Sequence, residues 1–255
     1  MNDDRPTVTT TVEGAVGYVT FDRPTDANAL DLPTSRALEA AVEAMGADER
    51  VRAVVLRGNG RVFCAGGDLA AMVGEDDRSA YLRELVDSAH RAVEAMQVLP
   101  KPLIVAVQGA AAGIGFSFAL GADLVVATES AKFVTAYTSV GLTPDGGMSW
   151  LLPRAVGQQR ALDLIVSGRP LPATEARDWG IVGRLCADDA LDATVAEVAG
   201  SLADRPMTAI GQARRLVRSS WERPLSAHLE AEAESISSIV ATEEAGDHIA
   251  RFLKR

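Results

Sequence analysis

From Leu103 to Ala122 the chain carries no charged side chain, a run long enough on length alone to cross a bilayer. Its internal punctuation speaks against a membrane span. Lys101-Pro102 and Asp123 bound the run, glycines at 109, 113, 115 and 121 interrupt it, and a second strand pattern, Leu124 to Ala127, follows at once. A buried strand over Leu103–Val107, a tight small-residue turn over Gln108–Gly115 and a buried helix over Phe116–Ala122 account for it better. Small residues in such a turn let a ligand approach the backbone closely. N–H groups at a helix start favour an anion or a developing negative charge. A structural turn between two buried elements is the plainer reading of the same residues.

At 255 residues the chain suits one sizeable domain, or a domain with a C-terminal appendage. Its net charge of −10 argues against nucleic acid and anionic membranes as partners, so a polyanionic ligand would need local Arg or Lys groups. The two cysteines, Cys64 and Cys186, make neither a metal spacing nor a disulfide framework. The polar start, Met1 to Pro6, lacks a signal-peptide pattern, and the expectation is a cytoplasmic protein.

Ahead of the organising run, Val8–Val12 and Ala15–Phe21 read as a hairpin around Glu13-Gly14. Asp22 to Asp31 is a loop rich in turn formers, and a helix is predicted from Pro33 or Thr34 with Leu38, Ala41, Val42 and Met45 on one face. A short buried strand, Val51–Leu56, precedes a second small-residue turn, Ala65-Gly66-Gly67, where Asp68 suits a helix cap. Glu75–Arg78 reads as a mobile charged segment, and Ala80–Val98 as a long amphipathic helix. A third turn, Gly141 to Gly147, carries Asp145. From Met148 onward helical patterns dominate, with one more short strand within Ile181–Leu185 and a tail helix reaching Arg255.

Two of these turns, at Gly66-Gly67 and Gly113-Ile114-Gly115, follow apolar strands and precede helices. If they face one cleft, their N–H groups make paired donors for one oxygen, suited to the enolate of a thioester or amide. Asp145 then completes a minimal kit for moving a proton alpha or gamma to a carbonyl. The plainer role for Asp145 is a turn or helix-cap acid. Other chemistries lack their residues: there is no Gly-x-Ser-x-Gly elbow, no P-loop lysine and no Gly-x-Gly-x-x-Gly order. His90, His228 and His248 fall in helical patterns and read as ordinary surface residues, and Cys64 as a buried filler thiol.

Taken in order, the segments resemble the enoyl-CoA hydratase/isomerase family, the crotonase superfamily. Arg23-Pro24 with Asn28 to Asp31, Phe63 to Leu69, Pro100 to Gly115, Ala122-Asp123-Leu124, Gly141 with Pro144, Leu151 to Arg154, Trp179 to Val182 and Phe252 to Arg255 carry the likeness, which spans nearly the whole chain. It implies an α/β fold, a spiral of strand–strand–helix turns over residues 1–195, and a C-terminal helical region, 196–255, that drives formation of a homotrimer or a hexamer of two trimers. It also implies acyl-CoA substrates of fatty acid metabolism, with no metal and no organic cofactor. The family's oxyanion donors fall on the N–H groups of Gly67 and Ile114. Its CoA contacts fall on Arg23 and Ala27, on Ala65, Asp68 and Leu69, and on Phe252 of a neighbouring subunit.

The departures from that pattern are chemical. Hydratase members activate water with two glutamates; those positions are Ser117 and Tyr137 here. Asp145 instead replaces a glycine after Pro144, as in isomerase members that shift double bonds or rearrange rings with one carboxylate. The sequence therefore favours an isomerase using Asp145, Gly67 and Ile114. Three other roles stay open. They are Tyr137 as the acid of a hydratase, Asp145 as an attacking nucleophile, and acyl-CoA binding without catalysis. Glu75 and Asp76 are further carboxylates within reach of the cleft from the charged segment, and a lid over Met72–Tyr81 is expected to shape the pocket.

Overall fold

The computed structural model describes residues 6–254. The polar start Met1–Arg5 and the final Arg255 lie outside them. Strands β1 (Val8–Glu13) and β2 (Val16–Phe21) form the expected hairpin, turning at Gly14 with φ +60°. Helix α1 (Leu32–Ala47) opens where Asp31 accepts the N–H of Thr34 at 2.8 Å. Then come β3 (Ala53–Gly58), α2 (Leu69–Val73) and α3 (Arg78–Val98). The charged segment is thus shorter than expected, because Arg78 already belongs to α3.

The organising run resolves into β4 (Leu103–Val107), β5 (Ala110–Ala112) and α4 (Ile114–Leu120). β5 lies inside the stretch read as a plain turn. Three alanines carry little strand preference, and their strand exists because β7 pairs with it. β6 (Leu124–Thr128), β7 (Lys132–Val134), α5 (Met148–Val156), α6 (Gln158–Ser167), β8 (Leu171–Pro172), α7 (Ala173–Asp178) and β9 (Arg184–Cys186) follow. The chain finishes with α8 (Leu191–Ala203), α9 (Met207–Ser219), α10 (Leu225–Val240) and α11 (Glu243–Leu253).

Two sheets share these strands. The larger runs β1-β2-β3-β4-β6-β9, parallel beyond the hairpin; the smaller runs β5-β7-β8. Parallel bridges Leu30–Gly67 and Cys64–Ala111 extend the smaller layer backward to two earlier turns of the chain. Each pass therefore gives a segment to each layer before its helix, which is the strand–strand–helix spiral. Side chains of β4 alternate accordingly. Leu103, Val105 and Val107 enter the main core, while Ile104 and Ala106 meet Val195, Ala199 and Ala203 of α8. Both faces are covered, so the run must be apolar throughout. Between the layers Phe21 packs on Phe63 and Phe118, with centroids 5.8 and 6.0 Å apart. The expected division after residue 195 falls inside α8.

Asp123 closes the run on itself. Its N–H donates to Leu103 O at 2.9 Å, and Leu103 N–H donates back to its Oδ2 at 2.8 Å. Arg214 Nε donates to that same oxygen at 2.6 Å and Arg218 to Oδ1 at 2.7 Å. Arg214 also caps the end of α3 through the carbonyls of Met96, Gln97 and Leu99. Among the described residues no helix is long and apolar enough to cross a membrane.

Candidate active site

The two small-residue turns meet at one cavity of about 400 Å³. Leu30 N–H donates to Gly66 O at 2.8 Å, and Asp68 N–H donates to Leu30 O at 2.9 Å. In extended chain, successive peptide groups point to opposite sides, so the N–H of Gly67 between them faces away from Leu30. Gly113 holds φ +51° and ψ −124°, a conformation open to glycine and closed to L side chains. Its N–H is taken by Val134 O at 2.9 Å, which leaves Ile114 to open α4 with a first-turn N–H that has no partner in the helix. A β-carbon on Gly113 would stand 3.5 Å from the Gly66 Cα, so the turns are in close contact. Both Gly67 and Ile114 line the cavity, and among the described residues neither N–H has a backbone acceptor.

Asp145 reaches the same cavity from the third turn. Gly146 and Gly147 hold φ +58° and +79°, and a β-carbon on Gly146 would stand 2.0 Å from Ile114 Cδ1. Glycine lets the Asp145 turn rest on the side chain of the residue carrying the second donor without displacing its terminal methyl. Ser117 Oγ donates to the Asp145 carbonyl at 3.2 Å, and Tyr137 Oη donates to Asp145 Oδ1 at 2.5 Å. Burial raises the Asp145 pKa above the ordinary carboxylate value, against the opposing pull of the Tyr137 hydrogen bond. The Tyr137 phenol is pushed up by burial first and by the Asp145 charge second, so it stays a donor. Its neighbour Ala136 carries φ +61°, a strained setting of order 1–3 kcal/mol.

His90 corrects the sequence reading. The surface assignment fails because α3 turns Leu82, Leu85, Val86 and Ala89 toward the cavity, and His90 follows Val86 by one helical turn. Its Nε2 accepts the N–H of Gly146 at 3.1 Å, beside Asp145. The i, i+4 spacing from Val86 was the available signal. His228 and His248 are half-buried rather than exposed, and neither lines the cavity. Cys64 is buried and its thiol is pushed up to about 12 by burial, as befits core filling. Glu75 and Asp76 are exposed and do not line the cavity, whereas Met72 of the lid segment does.

Of the residues assigned to CoA, Ala65, Asp68 and Leu69 line the cavity. Arg23 is held inside its own loop: it donates to Ala29 O at 2.6 Å and pairs with Asp68 at 3.1 Å, Asp31 at 3.2 Å and Asp26 at 3.6 Å. Three carboxylates already answer its charge, so it does little to offset the acidic field for a phosphate outside. Burial pushes the Asp68 carboxyl up, but the Ala71 N–H and Arg23 outweigh it and leave the pKa below the ordinary value. Ala27, at φ +51°, accepts the N–H of Ala65 at 3.0 Å and ties this loop to the cavity's edge. Phe252 lies three-quarters exposed on α11 and does not line its own chain's cavity. Among the described residues no group of three His, Cys, Asp or Glu is placed to hold a metal ion.

The enoyl-CoA hydratase/isomerase family model matches residues 11–255. The 1,2-epoxyphenylacetyl-CoA isomerase of Escherichia coli is 36% identical over 225 residues, spanning 87% of this chain and 85% of that one. The 4-chlorobenzoyl coenzyme A dehalogenase-2 of Arthrobacter is 30% identical over 239 residues, spanning 93% and 87%. The crystal structure of an enoyl-CoA hydratase from Polaromonas superposes with a TM-score of 0.93 at 33% identity, covering 97% of this chain and 96% of that one.

Proposed function

This chain belongs to the enoyl-CoA hydratase/isomerase family, and we propose that it isomerises an acyl-CoA, shifting a double bond or rearranging a ring with one carboxylate. The carrying observation is one half-buried acid, Asp145, with its Oδ2 open, in a largely apolar cavity that two backbone N–H groups without a partner among the described residues also line. The Gly67 and Ile114 N–H groups hold the thioester oxygen as charge develops on it. Asp145 Oδ1 is occupied by Tyr137, so Oδ2 takes the proton from the alpha carbon of a 3-enoyl thioester. The electron pair moves through the carbonyl and the old double bond. Oδ2 then returns the proton to the gamma carbon. The thioester itself acidifies the proton, and the reading needs no metal or organic cofactor.

Several features support this over hydration. The positions of the two water-holding glutamates are Ser117 and Tyr137, and both hydroxyls donate to Asp145. Asp68 also lines the cavity, but it caps α2 and pairs with Arg23. A nucleophilic role for Asp145 gains from His90 at its side and from the dehalogenase relative. That route needs a base to activate water against the covalent ester. His90 Nε2 already accepts the Gly146 N–H, so the ring's other nitrogen carries the proton and is a donor, not a base. A pocket for binding alone has no need of a buried carboxylate.

We further assign the apolar residues exposed on α10 and α11, among them Leu225, Ile236 and Phe252, to the contacts of a homotrimer or hexamer. Sedimentation of the intact chain as a monomer at micromolar concentration would reject that assembly. The catalytic reading is tested by assaying 3-enoyl-CoA conversion with Asp145→Asn. A rate lower by about 10²–10⁴-fold, with affinity for a saturated acyl-CoA held within a few fold, is expected. Unchanged turnover would reject the role.

A further inference from the structure

Away from the two backbone donors and Asp145 much of the cavity wall is aliphatic: Leu82, Leu85 and Val86 come from α3, and Val140 and Leu142 from the loop before Asp145. Its polar groups are nearly all committed. The Tyr137 hydroxyl donates to Asp145, Asp68 is held by Arg23, and Thr143 sits at the exposed rim. His90 differs. With Nε2 accepting the Gly146 N–H, the ring proton of the neutral imidazole resides on Nδ1. Nδ1 has no hydrogen-bond partner among the described residues, yet it is not among the side-chain atoms sealed from solvent without one. His90 is half-buried and lines the cavity, so apart from the two backbone donors and Asp145 Oδ2 used in the reaction its N–H is an open donor beside aliphatic side chains.

We propose that His90 is a specificity-determining residue whose Nδ1–H binds an oxygen carried on the acyl group, so that the site selects acyl-CoA thioesters bearing a hydroxyl, ether or epoxide oxygen over plain hydrocarbon ones. This rests on the reading of the cavity as an acyl-CoA site. A donor facing hydrocarbon would lose its water on substrate binding and gain nothing in return, which penalises a plain chain. An acceptor at the right carbon restores that bond. The committed Nε2 fixes the ring, so the donor's direction is set before the ligand arrives.

The test uses saturated acyl-CoA esters, which cannot isomerise and so report binding whatever the reaction class. A hydrocarbon ester is compared by calorimetry with ethers of equal length whose oxygen replaces C4, C5 or C6 in turn. One ether is expected to bind about tenfold tighter to the intact protein, the scale of one net hydrogen bond, and His90→Phe is expected to abolish the difference while still binding the hydrocarbon ester. Should that variant not fold, the ring N–H proton of His90 in the unaltered protein, followed by NMR, is expected to move downfield with the preferred ether and not with the hydrocarbon ester. Equal affinities at every position, a preference that survives His90→Phe, or an unmoved ring proton would overturn the assignment. Failure of every ester to bind would reject the acyl-CoA reading along with it.

Discussion

Tyr137 Oη donates to Asp145 Oδ1 across 2.5 Å, and both residues line the cavity that the Gly67 and Ile114 backbone donors also line. The hydrogen bond favours the charged carboxylate while burial disfavours it, and burial prevails. Catalysis needs Asp145 ionised, so activity falls as pH drops through its raised pKa, and the acid limb of kcat/KM lies above the ordinary carboxylate range. Tyr137→Phe removes the favouring bond and is expected to move that limb to higher pH with a rate loss of about tenfold at neutral pH. An unmoved limb would show that another group titrates.

Asp145→Asn has an opposite effect on stability. A carboxyl whose folded pKa is raised binds more protons folded than unfolded, so it lowers stability as pH rises between the two pKa values. At neutral pH that destabilisation is in force, and removing the charge is expected to raise stability by about 1 kcal/mol while activity is lost. Calorimetric melting at neutral pH checks it. The gain should vanish below the unfolded pKa, where the Asp145 carboxyl is protonated in folded and unfolded chains alike.

Two glycines of the site should answer an alanine differently. On Gly146 a β-carbon meets Ile114 Cδ1 at 2.0 Å in a left-handed backbone, whereas on Gly67 it meets nothing within 4 Å. Gly146→Ala is expected to lose about 1–3 kcal/mol of stability through the left-handed backbone and the crowding of Ile114 and Ser117. Gly67→Ala should stay within about 1 kcal/mol of the parent and act on turnover, because its methyl enters the cleft. Equal melting points for the two variants would contradict this geometry.

Arg214 is the buried cation among the described residues, held by Asp123 and by three carbonyls at the end of α3. Its truncation leaves those acceptors unpaired. Arg214→Met should cost about 3–5 kcal/mol in chemical denaturation, and Asp123→Asn somewhat less because Asp123 is partly exposed. A loss below about 1 kcal/mol for Arg214→Met would mean water replaces the clasp.

What the sequence disclosed, and what it hid, follows from where each signal resides. The glycine turns are legible because Gly66 and Gly113 hold φ +105° and +51°, which backbone geometry demands locally, and the uncharged run is legible because both faces of β4 are covered. β5 escaped because Ala110–Ala112 becomes a strand only through its partners. His90 escaped because its role depends on which face α3 turns inward, a tertiary fact. The loop around Arg23 shows the same limit: its charge is visible in sequence, whereas the carboxylates that neutralise it are gathered by folding.

The most direct test of the central claim is mass-resolved turnover of 2-enoyl- and 3-enoyl-CoA thioesters in D₂O. Double-bond migration with deuterium at the alpha or gamma carbon and no added water is the expected result, abolished by Asp145→Asn. A mass gain of one water on the 2-enoyl substrates would contradict it, and would make Ser117, Tyr137 and Asp145 the acid–base set of a hydratase.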